Sequence, residues 1–215
     1  AIKHFQQLSH LVPNLNYAAS DSRARYFQIR GIGERSGYQG TPNSSVGFLI
    51  DDIDYSGQGG IATLFDVDQV EVFRGPQGSR SGVNALAGLI YIKTKDPTEK
   101  FEGTSELTLG DYGTQNIGIA FGGPMQNKKL KYRLVLRTDY ADGFRKNIYL
   151  NKSDTSKKDE LTLRYKLNWE LNETTNLDFL VSKVDMDDPA DIWTIDGSLN
   201  TVSYTHLRAH ETAFY

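Results

Sequence analysis

The sequence contains no cysteine, which excludes disulfide frameworks, thiol nucleophiles and cysteine-based metal sites. It also has no excess of basic side chains, since 24 Lys and Arg stand against 27 Asp and Glu, so no nucleic-acid partner is expected. No apolar run approaches the ~20 residues that a membrane-spanning helix needs, and the mean hydropathy is −0.49. Strands that alternate between apolar and polar residues remain compatible with such an average.

Glycine and aromatic residues, by contrast, are frequent. The 215 residues include 20 Gly, 12 Tyr, 10 Phe and 2 Trp, a mixture typical of many turns and short strands rather than of a helical bundle. The pattern changes near Asp96-Pro97. We therefore expect two regions: a small mixed α/β domain over residues 1–97 and a series of antiparallel strands over residues 98–200.

The two ends of the chain carry separate expectations. The first residue is Ala and no signal peptide is visible, so we expect a fragment that lacks its start. At the other end, Thr201–Thr212 reads TVSYTHLRAHET, which agrees at all twelve positions with the translation of a transposase sequencing adapter. Residues 201–215 are therefore expected to be an artefact. Their His206 and His210 lack the intervening glutamate of a HExxH zinc site, so no metal is predicted there.

The first region contains one predicted helix and several predicted strands. Apolar spacing indicates a helix from Ile2 to Leu11, which must end before Pro13 because the residue preceding a proline avoids the helical conformation. Short β-rich runs follow, separated by glycine-containing loops, at residues 26–30, 46–51, 69–74 and 89–94.

The second region is dominated by a period of two, which is typical of strands with two different faces. In Glu160–Leu171, leucines and Trp169 occupy one face, while Arg164 and Lys166 lie on the other. Lys131–Tyr140 repeats the pattern, and weaker versions occur at residues 101–109, 116–121 and 176–181. We expect about five antiparallel strands, with a long polar connection over residues 141–159.

Two environments fit such strands. A soluble sandwich also alternates, but its outward face does not need long charged side chains at every position. Aromatic residues also gather at the predicted strand ends, in two groups: Phe101, Phe121, Tyr132 and Trp169 at one end, and Tyr112 and Tyr140 at the other. This arrangement favours the first strands of a transmembrane β-barrel. The alternative is a soluble secreted β-rich domain that binds carbohydrate or protein, and a more distant one is an α/β enzyme.

No motif predicts catalysis, a cofactor or a metal. The glycines of Gly31–Ser36 lack the third glycine of a dinucleotide loop, and Gly75–Ser79 lacks the lysine of a phosphate loop. Asp185–Asp191 is acidic but has neither the glycine nor the terminal glutamate of a calcium loop. Asp51, Asp52 and Asp54 form a carboxylate group without an accompanying base, nucleophile or metal ligand.

Four segments, which follow one another along the chain, resemble segments of a known protein family. They are Phe27–Gly33 (FQIRGIG), Val46–Ile53 (VGFLIDDI), Val70–Gly78 (VEVFRGPQG) and Asn84–Ile92 (NALAGLIYI). Their order and spacing resemble the plug domain of TonB-dependent outer-membrane receptors, and the strands from Phe101 resemble the start of that family's barrel. The chain departs from the pattern at Ser79–Val83 and at Ala87, where the family commonly has other residues.

The resemblance implies a location and a function. A receptor of this family lies in the outer membrane of a Gram-negative bacterium, where its barrel of roughly 22 strands encloses the plug and is surrounded by outer-membrane lipid. It takes up a scarce, bulky ligand, most often a ferric siderophore, with cobalamin, saccharides and other metal chelates as alternatives. A TonB-type protein supplies the work through an N-terminal box, which we expect upstream of Ala1.

The resemblance also assigns roles to particular residues. Arg30 and Arg74 each precede a glycine at the end of a predicted strand, and in this family such arginines pair with acidic side chains on the inner barrel wall. Three plug loops face the ligand in the family. The corresponding residues here are Glu34, Arg35, Tyr38, Gln39, Ser56, Gln58, Arg80 and Ser81.

Overall fold

The computed structural model describes residues 4–19, 23–35, 43–81, 84–125, 128–147 and 151–188. The described residues up to 94 form a small α/β unit, which we call the N-terminal domain. Its elements are α1 (Phe5–Leu8), a 3-10 helix (Ser9–Leu11), β1 (Leu15–Ala18), β2 (Tyr26–Ile29), β3 (Val46–Ile50), β4 (Ile53–Asp54), a second 3-10 helix (Gly59–Ile61), β5 (Val67–Arg74), α2 (Gly78–Ser81) and β6 (Gly88–Thr94).

Two sheets build the N-terminal domain. Strands β4, β3, β6 and β5 pair in that spatial order, with β3 parallel to β6 and both outer pairs antiparallel. Strands β1 and β2 form a separate antiparallel pair. The four predicted strands are present with ends shifted by at most two residues, whereas β1 and β4 were not predicted. Within the described part of the predicted helix, an α-helical turn continues as a 3-10 turn.

Three phenylalanines form the centre of the core. Phe5 meets the rings of Phe27 and Phe48 edge-on at centroid distances of 5.0 and 5.5 Å, and Phe27 stacks on Phe48 at 5.4 Å. Gly59 lies against this cluster, and a Cβ atom there would stand 2.3 Å from Cε2 of Phe27. The 3-10 helix at Gly59–Ile61 can therefore approach the rings only because position 59 has no side chain.

His4 attaches the start of α1 to the rest of the domain. Its Nδ1 accepts a hydrogen bond from the backbone N–H of Gln6, which places the ring proton on Nε2, and Nε2 donates to the carbonyl oxygen of Gly60 at 2.9 Å. The ring is buried, and burial, followed by the nearby guanidinium of Arg23, lowers the pKa of His4 to about 3. His4 is therefore neutral in the folded domain at physiological pH.

The remaining long strands form one antiparallel sheet, which we call the wall. It consists of β7, β8, β9, β12 and β13 in the spatial order β13-β12-β9-β8-β7. The connection between β9 and β12, predicted as a long polar loop, contains a short hairpin of β10 and β11. The bounds are β7 (Glu102–Leu109), β8 (Gln115–Pro124), β9 (Leu130–Ala141), β10 (Arg145–Asn147), β11 (Lys152–Thr155), β12 (Lys158–Asn172) and β13 (Thr175–Met186).

The two faces of the wall have the opposite character to those of a soluble sheet. Arg133, Arg137 and Arg164 are buried beneath the N-terminal domain, although charged side chains are seldom buried without a partner. On the other face, Leu163 is 36% and Trp169 41% exposed. The buried face is therefore polar and the exposed face apolar, as the predicted alternation required.

Aromatic side chains lie toward both ends of the wall, as predicted. Phe121 and Tyr132 contact each other edge-on with their ring centroids 6.4 Å apart, and Trp169 pairs with Leu130 near the same end. Tyr140 pairs with Gln115 near the opposite end. Among the described residues, no helix has the length and apolar character needed to span a membrane.

The pKa of His4 generates a prediction about acid stability. Above the unfolded pKa of 6.5, the buried neutral ring makes its full contribution to the free energy of unfolding. That contribution is lost as the pH falls toward the folded pKa of about 3. Each unit of pKa difference corresponds to about 1.4 kcal/mol. In His4→Gln, the thermal midpoint of the purified full-length protein should therefore fall less between pH 7 and pH 4.5 than in the unmodified protein.

The exposed His10 supplies the matched control, because its ring lies at the surface of the same segment. His10→Gln should leave the acid-induced change in thermal midpoint as it is in the unmodified protein. An equal change in all three proteins would contradict the burial of a neutral His4.

Candidate functional site

The turn Phe65-Asp66 of the N-terminal domain contacts the wall. The Asp66 carboxylate accepts hydrogen bonds from Arg133 at Nε (2.7 Å) and Nη2 (2.5 Å), and the side chains are only 1% and 3% exposed. Arg164 donates from Nη2 to the backbone carbonyl oxygens of Phe65 (3.2 Å) and Asp66 (3.4 Å). A two-pronged guanidinium–carboxylate contact of this kind fixes orientation as well as distance.

The Phe65 ring fills an apolar recess beside this contact. It packs against Ala120 and Val135 on the wall, and the guanidinium carbon of Arg137 lies 5.4 Å from the ring centroid. The floor of the recess is Gly118, where a Cβ atom would stand 2.7 Å from Cε2 of Phe65. A glycine in β8 is therefore what gives the ring its place.

Lys166 makes a second contact with the N-terminal domain. Its Nζ donates to Asp51 Oδ1 (3.1 Å), to the carbonyl oxygen of Thr94 (3.1 Å) and to Asp96 Oδ1 (3.0 Å). Asp51 in turn accepts hydrogen bonds from the N–H and the hydroxyl of Thr94. Burial opposes ionisation of Asp96, but the hydrogen bonds from Lys166 and Lys93 prevail and lower the pKa of its carboxyl group.

A third contact joins Arg23 to Glu160. Arg23 Nε donates to Glu160 Oε1 at 2.6 Å, and the carboxylate of Asp188 lies 4.0 Å from the same nitrogen. Glu160 and Lys166 are six residues apart on β12, which is about 20 Å at the usual rise of a strand. Charged contacts therefore occur along the length of the wall rather than at one point.

These contacts determine position more than they determine stability. A buried ion pair loses much of its attraction to the cost of desolvation, but removing one partner costs about 3–5 kcal/mol because the other charge stays buried. Arg133 also retains a buried Nη1 without a hydrogen-bond partner among the described residues. These contacts therefore favour the observed placement of the N-terminal domain, because a shift that separates them leaves buried cations unpaired.

The structure places the two predicted arginines away from these contacts. Arg30 follows β2 and Arg74 is the last residue of β5, and both side chains are exposed. Neither makes an ion pair with another described residue. Their pairing with acidic side chains of a barrel wall therefore stays a prediction.

The three predicted ligand-facing loops meet at one end of the larger sheet. Backbone hydrogen bonds from Ala85 to Ser44 and from Ala87 to Ser45 join two of them at the start of β3 and β6. The third loop is attached through the Ser56 hydroxyl, which accepts a hydrogen bond from the N–H of Phe48.

Individual loop residues have different environments. Glu34 is buried, and its carboxylate accepts hydrogen bonds from the N–H and the hydroxyl of Ser45, so it holds the loop together from inside. Arg35 and Gln58 are exposed. Arg80 and Ser81 belong to α2. Tyr38 and Gln39 lie outside the described residues, as do 201–215 and most of Asp185–Asp191.

These loops lie toward the end of the wall that carries the longer connections. Gly60, beside the third loop, accepts a hydrogen bond from His4 and lies next to Arg23. The partner of Arg23 is Glu160, which is close to the start of β12. The opposite end of the sheet contacts Lys166, farther along the strand. Loops on a rigid sheet are common places for binding residues.

The contacting residues were only partly visible in the sequence. The polar face of β9 and β12 was predicted, and it contains Arg133, Arg164 and Lys166. Their partners Asp51 and Asp66 were not predicted. A possible signal was the need of each buried cation for a carboxylate, but the sequence offers many carboxylates and does not say which of them reach the wall.

Known proteins share both the sequence pattern and the fold. Residues 2–89 match the family model described as the TonB-dependent Receptor Plug Domain. The pesticin receptor of Yersinia pestis is 28% identical over 138 residues, which are 64% of this chain and 20% of that protein. The vitamin B12 transporter BtuB of Vibrio vulnificus is 25% identical over 154 residues, covering 66% of this chain and 25% of that protein.

Solved structures agree in fold. The ferric yersiniabactin uptake receptor FyuA from Yersinia pestis superposes with a TM-score of 0.72 at 23% identity, covering 83% of this chain and 28% of that one. The pyoverdine outer membrane receptor FpvA from Pseudomonas aeruginosa superposes with a TM-score of 0.69 at 21% identity, covering 86% and 26%. The chain spans about a fifth to a quarter of the length of the curated relatives it matches.

A small α/β domain seated on the polar face of an outwardly apolar sheet defines the class of plugged outer-membrane β-barrels. Residues 2–89 belong to the plug-domain family of TonB-dependent receptors, which lie in the Gram-negative outer membrane. The described chain has the fold of such a plug followed by the first strands of its barrel. The relatives named above are receptors and a transporter, not enzymes, in agreement with the sequence prediction.

The recess under Phe65 gives a prediction about seating of the plug. Gly118→Ala places a methyl group where the ring edge lies, so the ring must move, and overpacking of this kind costs about 1–3 kcal/mol. The thermal midpoint of the full-length receptor should fall, and proteolytic cleavage within the plug should become faster.

Gly103→Ala is the matched control. Gly103 lies on the neighbouring strand β7, and a Cβ atom there would make only ordinary contacts of 3.6 Å or more with β8. It should leave both readouts unchanged. Equal behaviour of the two variants would mean that Phe65 does not occupy the recess.

Proposed function

We propose that the receptor carrying this chain takes up a ferric siderophore across the outer membrane. The observation that supports a role in uptake, as distinct from the choice of ligand, is the nature of the contact between plug and wall. The wall contacts the plug through charged pairs at Arg133, Lys166 and Arg23 and through the ring of Phe65. Such an interface closes the barrel, yet it is polar enough to separate when work is done on the plug.

The ligand class is supported by what related receptors take up. The ferripyoverdine receptor of Pseudomonas aeruginosa is 25% identical over 114 residues, and FyuA of Yersinia pestis is a ferric yersiniabactin uptake receptor. The vitamin B12 transporter of Vibrio vulnificus favours cobalamin as a second candidate. Both ligands are too scarce and too bulky for general diffusion, which is the problem that this class of receptor solves.

Within this proposal, the three plug loops form the outer surface that first meets the ligand. They gather at the end of the sheet nearest the longer wall connections, and in outer-membrane barrels the longer loops are extracellular. Arg35 and Gln58 are exposed there, whereas Glu34 and Ser56 support the loops. Arg30 and Arg74 would pair with barrel strands beyond the described ones.

The energy has to come from outside the receptor. The outer membrane holds neither a nucleotide pool nor an ion gradient, so a TonB-type partner acting on a segment upstream of the plug would supply the work. Residues 1–97 then form the movable plug, and residues 98–200 begin the barrel that stays in the membrane.

Uptake of radioactive iron tests the proposal. The full-length receptor would be expressed in a Gram-negative host that lacks its own siderophore receptors, with and without TonB. Ferric chelates of the hydroxamate, catecholate and phenolate types should be compared with labelled cobalamin. We expect accumulation of at least one ferric chelate, only when TonB is present. Equal accumulation without TonB would contradict the energy coupling, and accumulation of cobalamin alone would overturn the ligand class.

A further inference from the structure

Two plug residues that contact the wall share a rare backbone conformation. Asp51 has φ 48° and Asp66 has φ 58°, both in the left-handed region. Most residues with a Cβ atom seldom enter this region, whereas Asp tolerates it because its short polar side chain can form local hydrogen bonds. Asp51 lies in the two-residue turn between β3 and β4, and Asp66 lies in the turn before β5.

At both turns, the wall holds the carboxylate of the left-handed aspartate. Asp66 receives two hydrogen bonds from Arg133, and Asp51 receives one from Lys166. Asp52, the next residue in the first turn, also has a positive φ of 68°, but it is exposed. Its carboxylate makes no hydrogen bond or ion pair with any residue that the structure describes.

We propose that Asp51 and Asp66 form a two-point latch that keeps the plug seated on the first barrel strands. The β3–β4 hairpin itself requires a positive φ at Asp51 and Asp52, so this turn is a local feature of the plug, and the wall cations bind the carboxylates that the two turns present. The role of the latch in transport rests on the proposed function, whereas its role in closing the barrel does not. Its polarity is acidic on the plug and basic on the wall, the reverse of the pairing predicted for Arg30 and Arg74.

The two points of the latch differ in strength. The Asp66 side chain is almost completely buried and forms two hydrogen bonds with Arg133. The Phe65 ring and the two hydrogen bonds from Arg164 to backbone carbonyls lie beside it. Lys166, by contrast, divides one ammonium among three acceptors, and one of them, Asp96, has a side chain that is 57% exposed. The Asp51 point therefore separates first, and the Asp66 point last.

The test compares three single variants of the full-length receptor in outer membranes of cells that lack TonB. Asp51→Asn and Asp66→Asn remove the charge but keep a side chain that tolerates the left-handed conformation. Asp52→Asn is the matched control, with the same chemical change in the same conformation but no wall contact. The readout is susceptibility to vancomycin, which enters only through an opened barrel.

We expect susceptibility to rise about fourfold in Asp66→Asn and about twofold in Asp51→Asn, because each loses the charge that holds a buried cation. Asp52→Asn should match the unmodified receptor. This readout needs neither a ligand nor energy coupling. A failed iron-uptake experiment would therefore overturn the proposed function and leave the latch intact.

A second variant covers the case in which Asp66→Asn does not reach the membrane. Arg133→Lys keeps the positive charge on the wall but gives up the two-pronged contact, so we expect an intermediate leak. Hydrogen exchange of the backbone amides of Asp66 and Val67 should also become faster, although the plug sequence is unchanged. The latch is overturned if Arg133→Lys alters neither readout, or if Asp52→Asn leaks as much as Asp51→Asn.

Discussion

The pairing of buried wall cations with plug aspartates is the constraint on which the arrangement of plug and wall depends. Arg133 and Lys166 point away from the apolar face of their strands, into a space where an unpaired charge costs several kcal/mol. Asp66 and Asp51 supply the missing carboxylates from two turns of the N-terminal domain. In the placement observed, both cations are paired and the Phe65 ring lies in its recess at Gly118.

The same constraint links structure to transport. A plug held by a large apolar core would be difficult to displace, whereas one held by charged pairs exchanges them for water when it moves. The apolar side chains that such a core would need are instead on the outer face of the wall, where Leu163 and Trp169 are exposed. The polar inner face of the wall and its apolar outer face are therefore two consequences of one alternating pattern.

The long strands and their faces could be predicted because a period of two, repeated over ten or more residues, leaves no second interpretation of the local structure. The short β1 and β4 gave no such signal. The pairs across the interface could not be predicted, because Asp66 and Arg133 are 67 positions apart and only the fold brings them together. Glu34 shows the same limit, since its loop position suggested exposure and its hydrogen bonds to Ser45 bury it.

The most direct measurement is the chemical accessibility of neighbouring residues on β9. In the full-length receptor freed of any other cysteine, Val135→Cys and Leu136→Cys would be treated with a water-soluble and a lipid-soluble maleimide. Val135 is 2% exposed beneath the plug, so its cysteine should resist both reagents until the protein is unfolded, whereas the cysteine at Leu136 should react with the lipid-soluble reagent alone. Rapid reaction of the cysteine at position 135 with the water-soluble reagent in the folded receptor would contradict a wall covered by the plug.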